Sequence, residues 1–195
     1  MTTASVGEIV WVVGIIAWYV IRYPFERRAK RVRVVRDIRS QSEVVGLAAA
    51  LFGMAILPAF YIATGFPRMA DYPASAWAVV LGAISFAAAL LLFRVSHKEL
   101  GRNWSITLQI REQHKLVSSG PYALVRHPMY TSFLLMAVGQ AFLLSNWVVG
   151  LAGLVGFAVL FLLRVDKEER MMLENFGPEY RPYMERTKRI IPYLY

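Results

Sequence analysis

The stretch Gly120 to Tyr130 reads Gly-Pro-Tyr-Ala-Leu-Val-Arg-His-Pro-Met-Tyr, which gathers an imidazole, a guanidinium and two phenols around two prolines. Pro121 after Gly120 makes a turn. Pro128 drives His127 out of the helical region and is itself suited to the first position of a helix. A helix starting there presents unpaired N–H groups and its positive dipole end, so Met129 and Tyr130 can donate to a carboxylate or phosphate of a small ligand, with His127 beside that anion. A structural reading competes: Arg126 and His127 anchor a membrane span at the headgroups while Tyr122 and Tyr130 form an aromatic belt.

A second constellation lies downstream. Arg164 and Glu168 are four residues apart and share one face if the preceding helix continues, and Arg170 and Glu174 repeat the spacing. Such pairs are commonly solvated bridges contributing about 0.3–0.5 kcal/mol. Arg164 differs because it follows an apolar run directly, and an ionisable group held at the inner face of a membrane bundle is a candidate site with Glu168 as its partner. Metal chemistry is not indicated: His114 and His127 are 13 apart, with no cysteine and no third histidine nearby. His97, at the end of a span, is expected to be interfacial. The absence of cysteine excludes disulfides, thiolate-bound metals and a thiol nucleophile.

These groups need positioning elements, and hydropathy supplies them, since 57% of the residues are apolar. Met129 to Leu163 is uncharged over 35 residues. As one helix it would be about 52 Å long, against a hydrocarbon core of roughly 30 Å. The run must therefore fold back, and Ser145-Asn146 marks the break between two short helices, Met129 to Leu144 and Trp147 to Leu163. Val44 to Thr64 and Ala74 to Phe93 are further spans. Ile9 to Ile21, extended to Ala4 and Tyr23, is another, with Glu8 near one interface and Trp11, Trp18 and Tyr19 as belt residues. No small-residue cleavage site follows it, as a signal peptide would require. The expectation is an all-α integral membrane protein of five helices in a single domain, 1–195: three N-terminal spans in 1–95, and a catalytic region with the helical hairpin and C-terminal tail in 96–195.

Of 22 basic residues, 21 fall in segments that this topology places on one face, and only Arg68 lies elsewhere. By the positive-inside tendency that face is cytoplasmic, with the N-terminus outside and the C-terminus inside. The net charge of +9 is thus topological first. Arg27, Arg28, Lys30, Arg31, Arg33 and Arg36 can also attract anionic headgroups, at about 1 kcal/mol each. No nucleic-acid motif competes. Gly139, Gly150, Gly153 and Gly156 suit close helix packing in lipid. Phe176-Gly177-Pro178-Glu179-Tyr180 is expected to end the last helix, before an amphipathic tail with Tyr183, Pro192, Tyr193 and Tyr195 against the cytoplasmic face.

Taken in order, His114-x-Leu116-Val117, Gly120-Pro121-Tyr122, Arg126-His127-Pro128-x-Tyr130, Arg164-x-x-x-Glu168-Glu169 and Phe176-Gly177-x-x-Tyr180 resemble the isoprenylcysteine carboxyl methyltransferase family, in a form similar to its small prokaryotic integral-membrane members. The resemblance covers roughly Asn103 to Pro192, and the ordered set is far more specific than any one motif. It implies S-adenosyl-L-methionine held by His114, Lys115, Leu116, Val117, Tyr122, His127, Pro128, Met129 and Tyr130, with S-adenosyl-L-homocysteine as product. Gln109 also matches a cofactor contact, although it stands closer to His114 than in eukaryotic members. Arg164 and Glu168 match positions tied to substrate and catalysis. The implied acceptor is a lipophilic carboxylate such as a C-terminal S-isoprenylcysteine, with membrane lipids as surroundings and neither metal nor nucleic acid as partner. Three rivals remain: a phospholipid amine methyltransferase in which Glu168 holds the amine, a nicotinamide-dependent sterol-type reductase sharing Arg-His-Pro-x-Tyr, and a non-enzymatic membrane module with lipid-binding basic loops.

Overall fold

The computed structural model describes residues 2–31, 34–37, 40–101, 104, 109–111 and 115–195. Helix α1 (Thr3–Ala29) starts at Thr2, whose hydroxyl accepts the Ser5 N–H. A second rod runs from α2 (Gln41–Leu51) through a π-helical stretch, Phe52–Ile56, into α3 (Leu57–Thr64), which stops at Gly65 in the left-handed region (φ 72°). Helix α4 (Ala76–Leu100) returns, α5 (Pro128–Leu143) follows, and α6 (Trp147–Arg186) closes the order. Among the described residues, α1, the α2–α3 rod, α4 and α6 are long and apolar enough to cross a membrane, and α5 is a shorter apolar helix of 16 residues. The large exposed side chains Val13, Ile16 and Val20 on α1 suit a lipid-facing surface.

The membrane part is all-helical, as composition and span lengths require. One addition lies outside it: β1 (Val34–Asp37) pairs antiparallel with β2 (Gln109–Arg111), with Asp37 opposite Gln109. The sequence carries the alternation of such a ribbon, in Arg31-Val32-Arg33-Val34 and in Ile106 to Arg111, a strand signal that the expectation of an all-α chain did not include.

The turn after α5 falls at Ser145-Asn146, and the reason is chemical. Asn146 Oδ1 accepts the N–H groups of Val148 and Val149, capping α6. Its Nδ2 donates to the Pro67 carbonyl at 2.7 Å and to Asp71 Oδ1 at 2.6 Å, and the Tyr61 hydroxyl donates to the same carboxylate oxygen at 2.9 Å. The turn is thereby tied to the loop that precedes α4.

One expectation for the last helix is corrected: α6 does not end at Leu163 but continues helical well beyond it. Trp147–Arg186 is two helical segments joined at a kink, and the break falls at Phe176 (φ −124°, ψ 17°), next to the glycine–proline pair expected to end the helix. Gly177 and Pro178 then begin the second segment, where a missing N–H costs nothing. The chain after Arg186 turns back along the segment before α5: Arg126 N–H donates to the Lys188 carbonyl at 2.7 Å and His127 N–H to the Arg189 carbonyl at 2.9 Å.

Close packing relies on missing side chains. A Cβ on Gly156 would lie 2.5 Å from the Ala49 carbonyl oxygen, and one on Gly53 would lie 2.2 Å from that of Ala152. Both contacts join the α2–α3 rod to α6, as expected where dispersion contacts drive association in lipid. Gln140 of α5 sits at the centre, with its Nε2 donating to the Gly53 carbonyl (2.9 Å) and the Val149 carbonyl (2.8 Å) while its Oε1 accepts from Trp11 Nε1 (3.3 Å). One amide thus binds α1, the π stretch and α6 to α5.

Candidate active site

A hairpin of antiparallel helices sets the site. α5 is about 24 Å long and Arg164 lies about 26 Å along α6, so Arg164 comes level with the first turn of α5. The first turn of α2 reaches the same level, because α2 runs antiparallel to α6, with Gly46 against Leu160 and Ala49 against Gly156. Arg164 is buried there: Nη1 lies 3.2 Å from Glu43 Oε1, and Nε lies 3.5 Å from Glu168 Oε2. The Tyr130 hydroxyl donates to Glu168 Oε2 at 2.8 Å, and His127 Nδ1 is 3.9 Å from Glu168 Oε1. A buried guanidinium between two carboxylates is no solvated surface bridge.

A second carboxylate fixes the histidine loop. Glu169 Oε1 accepts from Arg126 Nε at 2.8 Å and stands 3.3 Å from His127 Nε2, while its Oε2 accepts from Arg189 Nη2 at 2.8 Å. Arg126 also donates to the Met184 and Thr187 carbonyls. Arg126 and His127 are therefore clamped to α6 and to the tail instead of facing headgroups. The belt alternative for the two tyrosines fails likewise, since Tyr122 and Tyr130 are both buried. His97, expected at the interface, is fully buried too, packed on Phe93, Phe25 and Trp104 with Nδ1 against the Phe93 carbonyl at 2.9 Å.

One cavity of about 610 Å³ lies against this cluster. Lys115, Leu116, Val117, Tyr122, His127, Met129 and Tyr130 line it together with Arg164 and Glu168, so nine of the twelve residues singled out by sequence meet in a single hollow. Pro128 is buried and supplies the first residue of α5. Gln109 is on β2, and its side chain, like the whole of His114, lies outside the described residues. Two features suit a small ligand bearing anionic and polar groups. The Met129 and Tyr130 N–H groups in the first turn of α5, and the Tyr122 hydroxyl, have no hydrogen-bond partner among the described residues. Burial, helped by the Glu168 charge, pushes the Tyr122 phenol well above its usual range, so it stays neutral and able to donate. Among the described residues, the side chains of Arg22, Lys115, Arg126 and Arg164 give the wall four cations, against the one carboxylate of Glu168. Deeper in, Leu47, Met54, Met136 and Leu160 make the wall apolar.

Glu43 and Trp104 escaped the sequence reading. Ser40-x-x-Glu43 ahead of an apolar run reads as a capping box, in which the glutamate turns back to its own helix start. Ser40 does accept the Glu43 N–H, at 3.4 Å, but the Glu43 carboxylate goes to Arg164. Trp104 stacks on Arg22, whose guanidinium lies 5.5 Å from it and 5.2 Å from Trp18.

Residues 79–174 match the model of the isoprenylcysteine carboxyl methyltransferase (ICMT) family. Protein-S-isoprenylcysteine O-methyltransferase B of Arabidopsis thaliana is 34% identical over 96 residues, 48% of this chain and 49% of that protein. A probable protein-S-isoprenylcysteine O-methyltransferase of Oryza sativa subsp. indica is 29% identical over 132 residues, 66% of this chain and 67% of that protein. Cobalt-zinc-cadmium resistance protein CzcN of Cupriavidus metallidurans is 33% identical over 101 residues, 51% of this chain and 46% of that protein. The chain thus spans about half the length of the Arabidopsis protein and about two thirds of the rice protein. The matched region holds α4 from its first turn, the histidine loop, α5 and α6 as far as Glu174, which is the frame of the cavity. That region, residues 79–174, is where the chain is similar to the isoprenylcysteine carboxyl methyltransferase family.

Proposed function

We propose that this protein is a carboxyl O-methyltransferase that moves a methyl group from S-adenosyl-L-methionine to the carboxylate of a lipophilic acceptor, such as a C-terminal S-isoprenylcysteine. The observation that carries the reading is the shared cavity: donor-rich at the histidine loop, cationic at Arg164 and apolar beyond it. Lys115, Leu116, Val117, Tyr122, His127, Pro128, Met129 and Tyr130 would hold the cofactor, with Gln109 and His114 completing the set. When bound, it supplies an electrophilic methyl on a sulfonium.

An acceptor carboxylate has a reference pKa near 4 and arrives ionised, so the chain needs no strong base. Arg164 receives it. Glu168, held by Tyr130, keeps the guanidinium in place until the acceptor arrives. Orientation of this kind can lower a barrier by about 7–11 kcal/mol. The apolar wall excludes water from the attacking oxygen.

The lipid tail needs a lateral route. α1 packs on α4 and α5 while α2 packs on α6, and cavity-lining Tyr19 of α1 and Leu51 of α2 are both exposed. The gap between α1 and α2 is the entrance we assign. Leu51→Trp is expected to raise the KM for a prenylated acceptor and leave S-adenosylhomocysteine affinity within twofold; a parallel loss of both places the entrance elsewhere. The clustering of basic residues in the loops and C-terminal segment supports a cytoplasmic position for them, open to a water-soluble cofactor.

Titration calorimetry on the detergent-purified protein tests the cofactor. S-Adenosylhomocysteine should bind and reduced nicotinamide nucleotide should not; the reverse identifies a reductase, and binding of neither a non-enzymatic module. Methyl transfer to N-acetyl-S-farnesylcysteine but not to phosphatidylethanolamine then fixes the acceptor class.

A further inference from the structure

The guanidinium of Arg164 meets two carboxylates that differ in one respect. Glu168 lines the cavity, and its side chain retains 27% of its accessible surface. Glu43 is outside the wall, with 1% left. It comes from the first turn of α2, behind Arg164 as seen from the cavity, and cannot withdraw, because α2 is pressed against α6 one turn further on: a Cβ on Gly46 would meet Leu160 Cα at 3.1 Å. A carboxylate arriving from the cavity can therefore exchange places with Glu168, which has Tyr130 and His127 at hand as alternative partners at 2.8 Å and 3.9 Å.

We infer that Glu43 is a positioning residue: its buried carboxylate fixes the Arg164 guanidinium from behind, so that the incoming acceptor displaces Glu168 and meets an arginine already aimed. This rests on the acceptor reading above and adds a role to it. The arrangement has a physical logic. An arginine with a flexible stem loses rotamer freedom when it grips an anion, and a fixed second partner removes that loss before the acceptor binds. Losing one partner of a buried ion pair also leaves a charge poorly compensated, so the truncated variant is paired with one that keeps a hydrogen-bond acceptor.

The test compares wild type, Glu43→Ala, Glu43→Gln, Arg164→Ala and the double variant Glu43→Ala/Arg164→Ala, each purified in detergent. S-Adenosylhomocysteine affinity is read by calorimetry, and kcat and KM are read with N-acetyl-S-farnesylcysteine. The expected result is a fall of at least tenfold in kcat/KM for Glu43→Ala, with thioether affinity held within twofold. Glu43→Gln should lie between Glu43→Ala and wild type. In the Arg164→Ala background, removing Glu43 should change the residual rate less than twofold. An equal penalty from Glu43→Ala with or without Arg164 overturns the inference, as does a fall in thioether affinity parallel to the fall in rate, or unchanged kinetics in both Glu43 variants. Wild-type protein that binds the thioether but methylates no prenylcysteine instead overturns the acceptor reading, and this role with it.

Discussion

The two ends of the helix bundle solve the same problem in opposite ways. Both hold polar side chains where an apolar surround makes unmet hydrogen bonds costly. At the end near the α5–α6 turn, Asn146, Asp71 and Tyr61 are matched to one another and to backbone. Gln140, halfway in, makes three bonds to three elements. At the other end Arg164 shares a carboxylate with the cavity, Glu168 has three neighbours competing for it, and Tyr122 holds a hydroxyl without a partner among the described residues. Saturation fixes a structure; a surplus of competing partners leaves room for a substrate. The contrast separates a scaffold from a site without recourse to any motif.

Substitutions can break the contrast from either side. The largest effect belongs to Arg164→Ala, which should cut methyl transfer on the order of 100-fold while S-adenosylhomocysteine binds within a few-fold of wild type. Single-turnover rates and calorimetry read the two quantities, and normal turnover would remove Arg164 from the mechanism. Gln140→Leu should act in the opposite sense. It leaves the Gly53 and Val149 carbonyls and the Trp11 indole without their amide, and it should destabilise the fold by about 2 kcal/mol at the modest values found for interhelical bonds in membranes. Reversible unfolding in mixed micelles measures that, with kcat per folded molecule unchanged. Tyr130→Phe deletes one hydroxyl on Glu168 and should lower kcat roughly tenfold, as expected for a hydrogen bond to a charged group. An effect confined to stability would move Tyr130 to the scaffold side. Asn146→Ala, which removes the cap of α6, should cost about 1 kcal/mol of stability and nothing in kinetics.

Much of this contrast was legible in the sequence, for physical reasons that differ by element. The α5–α6 turn was readable because an uncharged run of 35 residues is too long for one crossing and Asn146 is a strong cap. The histidine loop was readable because Pro121 and Pro128 restrict the backbone whatever surrounds them. Arg164 stood out by its place at the end of an apolar run. Glu43 did not, because Ser40-x-x-Glu43 already has a sufficient local explanation; its real partner is 121 residues away, at a distance only tertiary packing closes. Gly177 and Pro178 announced the break in α6 but not that a second helical segment resumes directly after it. A single non-helical residue, Phe176, absorbed the break and let the helix resume. Glu169 entered only as the second glutamate of a motif, and nothing local tells that it collects Arg126, His127 and Arg189.

The π-helical stretch Phe52–Ile56 carries one more consequence. A wide turn holds one residue beyond what a regular helix would, so it sets the angular phase of everything that follows along the rod. With that residue in place, Leu51, Met54 and Ala55 face the hollow while Tyr61, further along, still meets Asp71. Winding the same residues as a regular helix, without the wide turn, would swing Tyr61 by about 100° off its aspartate. The shape of the greasy chamber and the closure of the distant turn are therefore phased by the same wide turn, and neither can be kept if those residues are wound regularly.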